Sequence, residues 1–388
     1  MSSLAPVAGK SDFFSLTPAS FDAVVAEWGW PRFRADQVRD WVYRKLVLDP
    51  ERMTNLSKLD RARLAEHVSF GTSQVLAHQS SSDGTQKLLL GWTTPTPDAT
   101  AETVMIPDGP RRTACVSSQV GCPVGCNFCA SGIGGVKGNL TAGQIVEQVV
   151  RLNAVLNAGP GSRVPGSEPT THPAPGTRDP ELELITNIVF MGMGEPLANY
   201  ANVMQAIRIL HDPRCLNLGA RKITISTVGV PPKMRQLAQE DLPLNLAISL
   251  HAPNEELRRQ LIPWAEHFAI DQILNAARYY FEKTGREITL EYILLAGVND
   301  RPEHARQLAQ ICHTLRANVN LIRYNEVASL PYKRPASEDV LTFQSILRHN
   351  GINAHVRKSR GRDIDAACGQ LRRKEQQSGE TMVQVGVP

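Results

Sequence analysis

The stretch GCPVGCNFCASG, residues 121–132, puts Cys122, Cys126 and Cys129 on one short loop. Thiolates are soft ligands that select iron–sulfur clusters or zinc. A structural zinc site takes four protein ligands, commonly as two close pairs. Here three cysteines crowd together, and no fourth Cys or His follows within forty residues. Three thiolates from one loop suit a 4Fe-4S cluster that keeps one iron for a non-protein ligand. Glycines at 121, 125, 132, 134 and 135 let the backbone wrap such a group closely. A zinc site completed from a distance, or thiols in a loop with no metal, are the competing readings.

Other polar groups recur at the ends of apolar runs. MGMGEPLANY follows ITNIVF and carries Gly194 and Glu195. The glycines permit close backbone approach, and the carboxylate can accept hydrogen bonds from an ammonium group. ITISTVG ends in Ser226 and Thr227, AISLHAP contains Ser249, Leu250 and His251, and Asn325 follows LIRY. Each alone reads as a cap or turn residue. Recurring at the same end of successive strands, they read as a ligand-binding set.

The elements that must hold these groups alternate. TACVSS, ITNIVFMGM, KITIST, LNLAISL, EITLEYILL and NVNLIRY read as strands, with helices near 141–156, 199–211, 231–239, 269–284, 302–316 and 337–349 between and after them. Such alternation implies an α/β fold with a parallel sheet covered by helices and ligands at the carboxyl ends of the strands. Residues 13–65 read mainly as helices, and 74–92 as two strands joined by a Ser-Asp-Gly turn. Residues 1–100 are therefore assigned to an accessory unit, 101–371 to the core and 372–388 to a loose tail. The Pro-, Gly- and Ser-rich segment 157–183 is expected to be a disordered insertion.

The chain has 388 residues and a formal charge of +4. That permits a nucleic-acid partner without demanding one. Basic residues gather at Arg32, Arg34, Arg39, Arg44 and Lys45, and again at Arg357, Lys358, Arg360, Arg362, Arg372, Arg373 and Lys374. Either group can touch phosphates or form a solvated face. No apolar run is long enough to span a bilayer, and the polar start is unlike a secretory leader. A reducing cytoplasm is the expected compartment, where clustered cysteines bind metal or do chemistry. Cys215 and Cys312 read as small buried hydrophobes.

Cys-x-x-x-Cys-x-x-Cys, with Phe128 before the last cysteine, resembles the signature of radical S-adenosylmethionine (SAM) enzymes. From about residue 13 to 371, the insertion apart, the chain is similar to the RlmN/Cfr family of that superfamily. PRFRADQVRDWVY, FMGMGEPLANY, SLHAPNEELR, YNEVASLPY and SRGRDIDAACGQL carry the likeness. Ser131 stands where the family usually has Thr, Gly138 where it has Arg, and NLIRYN replaces a proline-and-tryptophan version.

The resemblance implies a partial (β/α)6 barrel, a small N-terminal helical domain that recognises RNA, and a C-terminal segment over the barrel mouth. It implies a 4Fe-4S cluster on Cys122, Cys126 and Cys129, with SAM held by Gly194, Glu195, Ser226, Ser249, Leu250, His251 and Asn325. Cys368 would accept a methyl group from one SAM, and a second SAM would supply the radical. Cys115 would release the product by forming a disulfide with Cys368, and Glu102 would transfer a proton. Read from the residues alone, Glu102 is a solvated strand position. The implied targets are adenosines in 23S rRNA and tRNA, methylated at carbon 2, with carbon 8 as the alternative. Flavodoxin or ferredoxin would supply electrons, and the chain is expected to be a monomer. A non-catalytic iron–sulfur RNA-binding protein is the reading from another class.

Overall fold

Strand-length apolar runs separated by helix-length amphipathic runs favour successive parallel strands with helical crossovers. The computed structural model shows this arrangement; it describes residues 9–97, 99–158 and 182–371. The expected insertion at 157–183 lies, for residues 159–181, outside the described residues, as does the expected tail at 372–388.

Ten strands form one open sheet whose spatial order follows the chain: β1 Gln74–Ser80, β2 Gln86–Trp92, β3 Ala99–Asp108, β4 Arg111–Cys115, β5 Asn187–Phe190, β6 Ile223–Thr227, β7 Asn245–Ser249, β8 Ile288–Leu294, β9 Ala317–Arg323 and β10 Ala354–Arg357. β1 to β4 make an antiparallel meander. From β4 to β10 every neighbouring pair is parallel. All six expected core strands form. A seventh parallel strand, β10, follows, although its residues AHVR carry too little apolar pattern to announce it. The sheet also passes through residue 100, because β3 spans it.

The helices are α1 Pro18–Glu27, α2 Arg32–Arg39, α3 Lys58–His67, α4 Ala142–Leu156, α5 Tyr200–His211, α6 Pro231–Leu237, α7 Glu255–Leu261, α8 Ile270–Thr284, α9 Pro302–His313 and α10 Ser337–His349. Thr141 and Gln144 close a capping box at the start of α4. The sequence reading missed α7, whose seven residues EELRRQL are short and charged. Asn254 caps it by accepting from the Leu257 N–H at 3.0 Å.

α1 to α3 supply Phe21, Val25, Val38 and Leu64, and the helical turn Asp40–Arg44 supplies Tyr43, to the core that holds Phe13 and Phe14. Glu147 of α4 fastens the strand-like segment after α3 to the core. It accepts from the Thr72 and Ser73 backbone N–H groups at 3.0 Å, the Ser73 hydroxyl at 2.6 Å, the Trp92 indole at 3.3 Å and Arg151 at 3.0 Å. Of the N-terminal basic cluster, Arg39 is buried and paired with Asp22 at 2.8 Å, so it faces inward rather than toward phosphates.

Candidate active site

Residues opposite one another in a sheet share a face, and the face alternates along each strand. Lys87 lies opposite Val104, Val104 opposite Cys115, and Cys115 opposite Val189. The row continues through Thr224 and Asn245. Ser226, two residues beyond Thr224, and Ser249, four beyond Asn245, keep that face. Ser249 sits opposite Glu291, Glu291 opposite Asn320, and Asn320 opposite His355, which is two before Arg357. Lys87, Glu102, Cys115, Ser226, Ser249, Glu291 and Arg357 therefore share one face. The other face carries Ile188, Ile225, Leu246, Ile248, Leu290 and Leu321, all buried in the main core with the helices. Each such side chain contributes about 1.5–3 kcal/mol on burial. The alternation fixes register, because a one-residue slip would turn the polar row into the apolar, helix-covered core.

The cysteine loop lies between Gln119–Gly121 and Val136–Asn139, which pair antiparallel as a separate two-stranded sheet. It is pinned where the Asn127 N–H and side-chain amide bond to the carbonyls of Leu261 at 2.9 Å and Gln260 at 2.6 Å. Cys122, Cys126, Cys129 and Cys368 line a second apolar cluster that includes Val124, Phe128, Ala252, Ile262 and Ile293. Burial pushes the Cys122 thiol up to about 12 and the Cys126 thiol well above its ordinary range. Repulsion from Cys129 and Cys122 adds to the rise at Cys126, which puts the three thiols in one neighbourhood. Backbone N–H groups oppose the rise, from Val124 and Gly194 at Cys122 and from Ser131 and Gly132 at Cys129. Mutually repelling thiolates with N–H donors aimed at sulfur fit an iron–sulfur cluster, whose binding would release the thiol protons. Among the described residues no three His, Cys, Asp or Glu are spaced around a single ion. A cluster distributes its ligands over separate irons.

Beside the loop, Glu195 is buried and its carboxyl is pushed up to about 7 by burial. The N–H groups of Val228 and Leu197 donate to it, each at 2.9 Å. Gly194 has φ +105°, and a Cβ there would lie 2.7 Å from Ser118 Oγ and 2.7 Å from Gln119 Cβ. Across the mouth the Ser226 hydroxyl donates to Glu291 Oε2 at 3.0 Å and meets Ser249 Oγ at 3.3 Å. Glu291 Oε1 and Ser118 Oγ are buried without hydrogen-bond partners. Orphaned polar atoms of this kind beside a buried carboxylate suit a ligand bearing an ammonium group and hydroxyls, as SAM does.

His251 Nδ1 accepts from the Ile293 N–H at 3.1 Å, and its ring meets Phe128 edge-on at 5.1 Å. Burial, with Arg258 nearby, pushes its pKa down to about 3, so it stays neutral. Leu250 stands apart. Its side chain belongs to the helix-covered core, and its N–H bonds to the Glu291 carbonyl at 3.1 Å.

Cys115 ends β4, and burial with Cys368 nearby pushes its thiol up to about 12. Cys368 lies on a strap, residues 360–371, that crosses the polar face. The Asn325 amide donates to the Cys368 carbonyl at 3.3 Å, Ala130 N–H to the Gly369 carbonyl at 2.8 Å, and Ser131 Oγ to the Leu371 carbonyl at 2.6 Å. Serine at 131 thus keeps a hydroxyl that fastens the strap to the cluster loop. Gly138 lies under Pro95, whose Cγ would be 2.5 Å from an added Cβ. The expected disulfide is not supported: all seven cysteines are free, and Cys115 and Cys368 are separate thiols in the same neighbourhood.

Glu102 is not a solvated strand residue. It is buried and paired with buried Lys87 at 3.1 Å. Lys87, Glu291 and Arg357 are the residues that sequence reasoning missed. Arg357, counted among the C-terminal charges that either touch phosphates or form a solvated face, turns to the sheet's polar face. It lies 3.9 Å from Glu291, and Cys368 is the main reason its pKa is raised. A charged residue inside an otherwise apolar strand, as in ITLEYIL and QKLLLGW, was the available signal.

Two family profiles match the chain: "Ribosomal RNA large subunit methyltransferase N-terminal domain" over residues 11–70 and "Radical SAM superfamily" over residues 181–309. A probable dual-specificity RNA methyltransferase RlmN of Symbiobacterium thermophilum is 46% identical, covering 91% of this chain and 89% of that protein. Its counterpart in Rhodopirellula baltica is 44% identical, covering 89% and 86%. The crystal structure of a radical SAM methyltransferase from Sphaerobacter thermophilus superposes with a TM-score of 0.83 at 42% identity, covering 93% of this chain and 99% of that one. The superfamily works with a 4Fe-4S cluster and SAM, and the residues assembled here fit both. The chain belongs to the RlmN family of the radical SAM superfamily.

Proposed function

We propose that this chain methylates carbon 2 of adenosine in structured RNA, through a methyl group carried on Cys368. Its targets are an adenosine in the peptidyl transferase centre of 23S rRNA and the adenosine 3′ of the anticodon in tRNA. The observation that carries this reading is the strap, which brings Cys368 to Cys115 on the same sheet face as Glu102 and beside the cluster loop. Relatives named as dual-specificity RNA methyltransferases support the substrate class.

Carbon 2 of adenine lies between two ring nitrogens and is no nucleophile, so simple methyl displacement is unfavourable there. When bound, the cluster and SAM supply a methyl group and a 5′-deoxyadenosyl radical. The chain's own residues do the rest. Cys122, Cys126 and Cys129 hold the cluster. Glu195 accepts from the ammonium of SAM, and Ser226, Ser249 and Glu291 bond its hydroxyls. Asn325 fixes the Cys368 backbone, and Arg357 faces its sulfur. Cys368 takes the methyl group as a thiolate nucleophile. Once its methylene carbon is bonded to adenine, Glu102 takes the carbon 2 proton. Cys115 would then attack the Cys368 sulfur: an S–S bond forms, the S–C bond breaks with its electron pair left on the adenine-bound carbon, and that carbon takes a proton to become the methyl group. The target base must leave its stack to reach this face.

No helix among the described residues is long and apolar enough to cross a membrane. The reading includes a cytoplasmic monomer reduced by flavodoxin or ferredoxin. The test is anaerobic cluster reconstitution, a reductant, labelled SAM and unmodified rRNA fragment or tRNA, with mass spectrometry of the digested RNA. 2-methyladenosine is the expected product. 8-methyladenosine would overturn the assigned position, and 5′-deoxyadenosine without methylated RNA would overturn the substrate.

A further inference from the structure

Lys87 is an ammonium taken out of water on a strand of the N-terminal meander. Its side chain is 4% exposed and that of Glu102 is 3% exposed. A lysine so buried must be paired and hydrogen-bonded. Both of its contacts lead to the reaction. Nζ lies 3.1 Å from Glu102 Oε1 and donates to the Asp365 carbonyl at 3.2 Å. Asp365 sits three residues before Cys368 on the strap. One ammonium therefore spans the proposed proton acceptor and the segment that carries the proposed methyl carrier.

The register makes this contact specific. Lys87, Val104 and Cys115 form one row across β2, β3 and β4, and Glu102 is the diagonal neighbour of Lys87 on the same face. The turn of the same hairpin holds the strap a second time. Ser81 Oγ and the Ser82 N–H donate to Asp363 at 2.5 and 3.0 Å, and the Gly361 N–H donates to Asp83 at 3.0 Å. The strap is thus bound to the β1–β2 hairpin at its start and at its middle.

We propose that Lys87 is a positioning residue for RNA methylation, aligning the Glu102 carboxylate with the Cys368 strap. The inference rests on the proposed role of Glu102. Lys87 acts through these two partners. Misplacing a reacting group by about 1 Å costs about 10²-fold in rate.

The test compares Lys87→Met, Lys87→Arg, Glu102→Gln and the Lys87→Met/Glu102→Gln double variant in cluster-loaded enzyme. Two rates are read separately: methyl transfer to Cys368, by intact-protein mass, and methylation of RNA. K87M should keep its cluster and methylate Cys368 within about threefold of wild type, while RNA methylation falls about 10²-fold. K87R should recover most of the loss. In the E102Q background K87M should add nothing, because both changes remove one unit. Multiplied losses in the double variant, equal loss of both half-reactions in K87M, or no recovery in K87R would each overturn the proposal. A fully active E102Q would remove the catalytic role of Glu102 itself, which is a failure of the underlying reading.

Discussion

Gly194→Ala tests whether the turn after β5 is shaped for a ligand. At φ +105° an alanine is strained by about 1–3 kcal/mol. Its methyl would also lie 2.7 Å from Gln119 Cβ and from Ser118 Oγ. Gln119 does not move freely. The Gln119 side chain is fixed at both ends of its amide, to the Glu195 N–H at 2.8 Å and to Asn139 at 2.8 Å. Overpacking of this kind adds about 1–3 kcal/mol. Much of the total is relieved by shifting the Gly194–Glu195 backbone, which displaces the carboxylate assigned to the ammonium of SAM. A loss of about 3 kcal/mol, within the summed range, is about 10²-fold in affinity. The assay is equilibrium binding of SAM to cluster-loaded protein, with iron and sulfide content measured alongside. The expected result is near-normal cluster content with SAM affinity weakened about 10²-fold. Wild-type affinity in G194A would refute the reasoning, since the strain and the contacts would then have no bearing on the ligand.

The two cysteines outside the loop separate by role. C368A should assemble its cluster yet methylate no RNA, whereas C115A should remain covalently attached to RNA on a denaturing gel; free turnover by C115A would remove its release role. His251 gives a pH dependence. Its folded pKa is pushed down to about 3, so between pH 6.5 and 3 the unfolded chain binds the extra proton and stability falls as pH falls. From pH 6.5 to 5 the loss is about 2 kcal/mol, read from urea midpoints, and His251→Asn, which keeps an acceptor for the Ile293 N–H, should flatten that limb. Glu147→Ala strips the buried Ser73 N–H, the Trp92 indole and Arg151 of their shared acceptor and should destabilise the chain by about 3–5 kcal/mol in urea unfolding. A change below about 1 kcal/mol would show that water replaces the carboxylate.

Local chemistry was legible in the sequence because it is written over a few neighbouring residues. Cys122, Cys126 and Cys129 must share a loop whatever the fold, and Gly194 with Glu195 must form one turn. The six core strands and their helices were legible too, since apolar period and length depend on local geometry. β10 and α7 were not, because AHVR alternates over only four residues and EELRRQL is held by its Asn254 cap and its packing.

What only the tertiary structure decided is which distant residues share a face. Nothing near Lys87 in the chain indicates that it meets Glu102 and Asp365, or that Arg357 turns toward Cys368 instead of toward solvent. Glu102 looked solvated because a charge in a strand usually is, until pairing across β2 and β3 enclosed it. Leu250, one residue from Ser249, went to the helix-covered core. The physical reason is the two-residue period of a strand. Side-chain direction depends on register, and register is set by hydrogen bonds between segments separated by up to 74 residues.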